Sequence, residues 1–384
     1  VEQAGFGDQI LGLNKSGAFI EGDKIECKKL CRDAGIPVAA SWNEVDARDY
    51  QSILSTCLNY IHHFGGAVLK YPYSAGGKGA RIILNSWEIK EVYDGLIKDY
   101  KASYKKLYGG KGTWPLLIES LMSGVEISFT MLVDGNGNFQ ILPTAMDYPE
   151  RFEGPPGKTN PITGGMGAVS PHPLETPELI EMAGSLIARP LIQSMKEINI
   201  LRPCVLYPGC FVSLNDAGLP SAIRVSEINI RPGEPEAQPV IRRLRNLGAL
   251  IQATLQGNLN EVEPEVRTDQ LAVCAALVTG RGGPDGQKGY PWSCTRGEPV
   301  EIDFKYMKRK GIQVIPSAMM GSPQDGGFKS DGTRVAYLNA NLTVKPGESR
   351  GEGAERFRKK LLAAFDNGKI RVFPRVDPDG NRLD

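Results

Sequence analysis

Hydrophobic and polar positions along this chain follow two alternating periods, and the switches between them mark its elements. Apolar residues recur at helical spacing through 17–35, where Gly35-Ile36-Pro37 stops the run, and again through 46–64. After Gly65-Gly66 comes a short apolar strand, Ala67 to Lys70, then a Gly-rich loop at 74–79 and a strand at Ala80–Leu84. A helical pattern rich in Lys and Tyr covers 86–107. Strands are expected at 116–119 and 125–133, and the Asp134-Gly135-Asn136-Gly137 turn leads into another at 139–146. Residues 147–173 read as one long Pro/Gly-rich loop, and loops of that length tend to carry function. A helix at 175–198, strands at 205–214 and 221–230 around the Asn215–Gly218 turn, and a helix at 236–256 follow. Beyond 258–265 the pattern changes to short strands at 272–279, 300–303, 313–316, 335–338 and 342–345, then a helix at 353–366 and a polar tail. That change places a domain boundary near 260.

Composition narrows the function classes. The chain has 384 residues, 41% apolar and 23% charged, which suits two or three globular domains. A net charge of +1 supplies no electrostatic reason to bind nucleic acid or a membrane surface. No apolar run is long enough to span a bilayer, and Val1-Glu2-Gln3-Ala4-Gly5-Phe6-Gly7 is not a signal peptide. The absence of an initiator Met leaves a fragment or a processed product as readings. The seven cysteines form no CxxC pair, and they read as small buried hydrophobes of a reducing cytoplasm. With three histidines the chain is poorly supplied for histidine-based chemistry.

Four segments carry candidate chemistry. In Ser226-Glu227-Ile228-Asn229-Ile230-Arg231-Pro232-Gly233-Glu234-Pro235-Glu236, the acid, the amide and the arginine alternate, so on a strand they share a face. Glu227 and Asn229 offer hard oxygen ligands suited to Mg²⁺ beside phosphates, and Arg231 can clamp anionic oxygens. Ser74-Ala75-Gly76-Gly77-Lys78-Gly79 lets backbone N–H groups approach an anion. It lacks the spacing of a phosphate-binding P-loop and leads to a strand, unlike a dinucleotide fingerprint. Alone it reads equally as a hairpin turn, although Lys70 just before it can point at phosphates. The bend Glu119-Ser120-Leu121, with Glu126 beyond it, can offer backbone groups to an adenine edge and a carboxylate to ribose. An acidic loop between strands is the plainer reading. Thr159-Asn160-Pro161-Ile162-Thr163-Gly164-Gly165-Met166-Gly167 reads as an anion or amino-acid cradle, or as an ordinary Gly/Pro loop.

Taken in order, these segments resemble the ATP-grasp ligases, and among them the phosphoribosylamine–glycine ligase family. That family carries a KAxGLAAGKGV strand and loop, an EEFLxGEEASF bend, a TGPNTGGMGAxSP loop and an EFNxRFGDPExQ strand. Glu21-Gly22-Asp23-Lys24 is similar to its EGSK, and Gly35-Ile36-Pro37 to its GIPT. The resemblance covers roughly 10–245. It implies an α+β fold in which two subdomains hold ATP, with a smaller, mostly-β C-terminal domain. The expected divisions are a residual N-terminal segment to 61, a lid subdomain at 62–130, a metal and substrate subdomain at 131–258, and the last domain at 259–384.

The resemblance further implies an ATP-dependent carboxylate–amine ligase of purine biosynthesis, working through an acyl phosphate on small-molecule substrates. By carry-over, Lys24, Lys70, Ser74, Gly76, Gly77, Lys78, Gly79, Glu119, Ser120, Leu121 and Glu126 bind ATP. Glu227 and Asn229 hold Mg²⁺ or Mn²⁺. Lys70 and Arg231 act at the transferred phosphoryl group, and Asp147, Asn160, Thr163, Gly164, Gly165 and Met166 receive the substrates. The departures lie at the substrate positions. The family's QDHKR is here Met146-Asp147-Tyr148-Pro149-Glu150-Arg151 in context, without the His and Lys, and its RFGDPE is Arg231-Pro232-Gly233-Glu234-Pro235-Glu236. Almost all of the family's N-terminal domain is absent, which implies that it is lost, sits on a separate chain, or lies outside this sequence.

Overall fold

A computed structural model describes residues 9–73, 80–108, 112, 114–152, 154, 160–279, 290–291, 295–322 and 327–372. The chain opens with α1 (Phe19–Gly22) and α2 (Lys24–Asp33), then β1 (Trp42–Asp46), α3 (Tyr50–Phe64), β2 (Ala67–Lys70), β3 (Ala80–Ile83), α4 (Ile89–Tyr108) and β4 (Pro115–Ser120). It continues through β5 (Val125–Ser128), β6 (Met131–Val133), β7 (Phe139–Ile141), β8 (Met146–Glu150) and β9 (Ile162–Ser170) to α5 (Pro177–Ala183) and α6 (Arg189–Glu197). Then come β10 (Cys204–Leu214), β11 (Pro220–Asn229), α7 (Ala237–Arg243), α8 (Leu247–Gln256) and β12 (Gln270–Val278). The last stretch holds β13 (Thr295–Ile302), α9 (Phe304–Arg309), β14 (Gln313–Pro316), β15 (Met319–Ser322), β16 (Gly327–Gly332), β17 (Arg334–Thr343), α10 (Arg350–Asp366) and β18 (Ile370–Val372).

Two compact units emerge. The first takes residues up to Ile141 with Leu174–Pro232 and Gly248–Glu263. It contains a four-stranded sheet, ordered β1-β4-β2-β3, and a five-stranded sheet, β11-β10-β6-β7 with β5 also on β10. The small sheet and α3 and α4 share a core that includes Ile53, Tyr60, Leu69, Ile89, Tyr100 and Ile118. This layer therefore begins before residue 62. The larger sheet packs on α2, α5 and α6 through Cys31, Phe129, Leu191, Leu206 and Ile228. The second unit takes Leu142–Pro173, Gly233–Leu247 and residues from Pro264 onward. Its sheets run β14-β17-β12-β9-β8 and β15-β16-β13-β18.

Several local expectations change. Residues 147–173 do not form one loop, because β9 is a nine-residue strand paired to β8 on one side and to β12 on the other. Glycine gives no hydropathy signal, so the period of two in Ile162–Ser170 was hidden. Its absent side chain is what the pairing needs at Gly167, where a Cβ would lie 2.6 Å from the Cys274 carbonyl oxygen. This pairing also explains why 142–173 belongs to the second unit, so the division does not follow a single boundary near 260. The helix expected over 17–35 breaks at Asp23, whose extended backbone lets its carboxylate accept from Ile25 and Glu26 N–H and cap α2. The helix over 175–198 contains a π-turn at 184–188 just before Pro190, which has no N–H to continue the regular ladder. The helix over 236–256 breaks between Arg243 and Leu247. Strand β1 leaves no alternating pattern in the sequence because its consecutive residues Asn43 and Glu44 are both exposed at a sheet edge. The six cysteines among the described residues are free and buried. No helix among the described residues is long and apolar enough to cross a membrane.

Candidate active site

Strand β4 is an inner strand, with β1 on one side and β2 on the other, so its Glu119 side chain is driven into the protein and is 1% exposed. A carboxylate so deep requires partners. It has two: Lys28 Nζ lies 2.7 Å from one oxygen and Lys70 Nζ 2.5 Å from the other. Lys70 arrives from the end of β2, and Lys28 from the face of α2 one turn beyond Lys24. Burial pulls the Glu119 carboxyl up, but Lys28 and then Lys70 overcome it and hold the group at about 2. Burial likewise opposes the Lys28 charge, yet the Glu119 carboxylate raises that ammonium above the ordinary lysine range.

Strand β11 brings its acid and amide to the same place, and Arg231 follows two residues beyond the strand's end. Antiparallel pairing sets Glu227 opposite Gly209 and Asn229 opposite Tyr207 on β10, so the two share a face. Lys24 Nζ is 3.2 Å from Glu227 Oε2, and Asn229 Nδ2 donates to Glu227 Oε1 at 3.3 Å and to the Tyr207 carbonyl at 3.4 Å. Burial would raise the Glu227 carboxyl, but Lys24 and Lys70 leave it lowered. Lys70 Nζ also donates to Ser226 Oγ at 3.4 Å. Arg231 gives its Nε to Glu21 Oε1 at 2.9 Å and an Nη2 to Asn229 Oδ1 at 3.5 Å, while Glu21 Oε2 accepts from Ile230 N at 3.1 Å. A cleft lies along this face, lined by Glu21, Lys24, Lys28, Ser226, Glu227 and Asn229.

This donor set fits a hard divalent cation. One carboxylate and one amide oxygen, both reachable from the cleft, leave further positions to phosphate oxygens and water, as Mg²⁺ prefers. Among the described residues no group of three or more His, Cys, Asp or Glu could hold a metal ion, so a protein-only cage of those ligands is not what this site offers.

A match to the phosphoribosylglycinamide synthetase ATP-grasp (A) domain covers residues 22–237. The chain belongs to that family. A phosphoribosylamine–glycine ligase of Rhodopirellula baltica is 30% identical over 335 residues, 87% of this chain and 70% of that protein. One of Mesorhizobium japonicum is 30% identical over 97% of this chain and 76% of its own length. The chloroplastic enzyme of Arabidopsis thaliana is 29% identical, with 92% and 59% covered. Among solved structures, the Thermotoga maritima phosphoribosylamine–glycine ligase shares the fold at a TM-score of 0.68 and 24% identity, covering 96% of this chain and 80% of that one.

Within this ATP-grasp chain, the expected residues fall into separate groups. Lys24, Lys70, Glu119, Glu227, Asn229 and Arg231 meet in the first unit. The bend after β4 has two amides engaged: Ser120 N donates to the Ser41 carbonyl and Leu121 N to that of Gly66. Ser120 Oγ accepts from Ser41 N. Glu126 is exposed on β5, opposite Phe211 of β10. Ser74, Gly76, Gly77, Lys78 and Gly79 lie outside the described residues.

The expected substrate residues belong to the second unit, and their side chains largely shape its backbone. Asn160 closes the preceding loop, accepting from Phe152 N and donating to the Phe152 and Gly154 carbonyls. Thr163 Oγ1 donates to the Pro149 carbonyl and accepts from Gly165 N. Gly164 N donates to the Tyr290 hydroxyl at 3.1 Å, and Arg334 donates to the carbonyls of Gly164 and Glu234. Asp147 accepts from Tyr148 N, and Met166 is half-buried. Burial, together with the Glu234 carboxylate, pushes the Tyr337 phenol up. Sequence reasoning missed Lys28, Ser226, Tyr290 and Arg334. Only Lys28 left a signal, its spacing of four from Lys24 on one helix face.

Proposed function

We propose that this chain is an ATP-dependent ligase that joins the carboxylate of glycine to phosphoribosylamine, as the names of its relatives indicate for them. The observation that carries this reading is the meeting of Glu227 and Asn229 with Lys24 and Lys70 on one strand face. Lys24 and Lys70 would hold the nucleotide phosphates, with the base near the Glu119–Leu121 bend and Glu126 toward the ribose. A carboxylate oxygen of glycine attacks the γ-phosphorus, and the bond to the bridging oxygen breaks to release ADP. The amine nitrogen then attacks the acyl carbon, the C–O bond to phosphate breaks, and a proton is lost to solvent. Glu227 and Asn229 would hold Mg²⁺ or Mn²⁺, which would supply charge neutralisation beside the phosphates. Lys70 supplies more, so catalysis is mostly positioning and electrostatics. Arg231 would leave Glu21 to steady the acyl phosphate. In the second unit, Asp147, Asn160 and Thr163–Met166 are the proposed substrate residues.

The departures Pro232 and Glu234, with Tyr148 and Pro149 directly after Asp147 where the family has His and Lys, favour a second reading: the same ATP chemistry on another carboxylate and amine. The test is ADP release with MgATP, glycine and phosphoribosylamine, run beside a panel of amino acids and amines. Release with the named pair supports the first reading. Release only with another pair supports the second. Tight ATP binding without turnover on any pair would leave a non-catalytic nucleotide-binding relative.

A further inference from the structure

Lys28 has no part in the reaction outlined above, yet it is among the most deeply placed charges of the first unit. It is 4% exposed. Besides its ion pair with Glu119, its Nζ donates to the carbonyls of Val225 at 3.3 Å and Ser226 at 3.2 Å. One ammonium thus ties α2 to β4 and to the part of β11 that leads into Glu227. Lys70 reaches the same two partners, Glu119 at 2.5 Å and the Ser226 hydroxyl at 3.4 Å. Two ammonium groups and one carboxylate leave this buried group with one net positive charge. Without Lys28, Glu119 and Lys70 would form a neutral pair, and a buried neutral pair resists giving up its cation to another anion.

We propose that Lys28 is a positioning residue for Lys70: by sharing Glu119, it leaves Lys70 charged and available to nucleotide phosphates. The inference rests on the reading that Lys70 meets ATP. It makes Lys28→Met weaken ATP binding through Lys70 rather than through a phosphate contact of its own. It also makes Glu119→Gln compensate, because a neutral amide no longer captures Lys70.

The experiment measures MgATP dissociation constants for the wild type, Lys28→Met, Lys28→Arg, Lys70→Ala, Glu119→Gln and the double variant Lys28→Met/Glu119→Gln, with thermal unfolding of each. Loss of a charge-assisted contact predicts ATP binding about tenfold or more weaker in Lys28→Met and in Lys70→Ala. Lys28→Arg should stay close to wild type, and the double variant should bind ATP more tightly than Lys28→Met. An unchanged Kd in Lys28→Met alongside a weakened Lys70→Ala overturns the inference alone. So does a double variant as weak as Lys28→Met, the result of a merely structural role. An unchanged Kd in Lys70→Ala removes the ATP reading of Lys70 and the inference with it. Should Lys28→Met fail to fold, Lys28→Arg and the double variant against Glu119→Gln alone decide the matter: a double variant weaker than Glu119→Gln overturns the inference, and equal binding upholds it.

Discussion

Replacing Glu119 with alanine removes the one carboxylate between two ammonium groups, and the loss can be sized in two ways. In the folded protein Lys28 and Lys70 hold this carboxyl at about 2, against an ordinary 4.5. By proton linkage that gap is worth ~3 kcal/mol of folding stability at neutral pH. Taking one partner from a buried ion pair independently costs ~3–5 kcal/mol, because the remaining charge stays buried without compensation. Both routes predict that Glu119→Ala loses roughly 3 kcal/mol or more at pH 7. The pH dependence has a definite sign. A depressed carboxyl contributes stability that is complete above its unfolded value near 4.5 and disappears as pH falls toward about 2. The gap between wild type and variant should therefore stay level from neutral pH to about 5 and narrow below that. Urea unfolding followed by tryptophan fluorescence is the assay. Trp42 lies directly opposite Glu119 across β1 and β4, and Trp114 immediately precedes β4. A loss under ~1 kcal/mol at pH 7, the size of an exposed pair, would refute the account of Glu119 as a buried counter-ion.

Two other substitutions test the proposed site. Glu227→Ala should abolish Mg²⁺-dependent ADP formation with little change in circular dichroism, since its carboxylate lines the cleft and supports no core packing; undiminished turnover would remove it as a metal ligand. Gly165→Ala should destabilise the second unit by ~1–3 kcal/mol. Gly165 has a φ of +99°, and an added Cβ would fall 2.2 Å from Pro235 Cδ; a melting temperature equal to wild type would show that this strand relaxes freely.

Much of the family and the ATP chemistry was legible in the chain itself. The spacing of Glu227, Asn229 and Arg231 determines a shared face on any strand, because side chains alternate with a period of two. The structure keeps that face for Glu227 and Asn229 and adds Lys24 to it, while the strand ends before Arg231, which reaches back to Asn229 by its side chain. Lys70 at the end of an apolar strand was readable for the same reason. Helix and strand periods were legible wherever apolar residues mark them, and failed where glycine does not, as in Ile162–Ser170.

Tertiary structure alone decided the partners. From sequence alone, Glu119 has only a backbone role at an adenine edge and no partner for its carboxylate, which lies under Lys28 and Lys70, residues 91 and 49 positions away in sequence. The side chains of Asn160 and Thr163, read as a substrate cradle, are bonded to nearby backbone. Local pattern sets which way a side chain points relative to its own strand or helix. Which charge it meets depends on what the rest of the chain brings against that face, and burial makes the pairing obligatory. The sequence by itself thus determined the strand faces and the set of charged groups. Folding decided that one carboxylate, buried between two lysines, ties α2, β2 and β4 together beside the strand that bears Glu227.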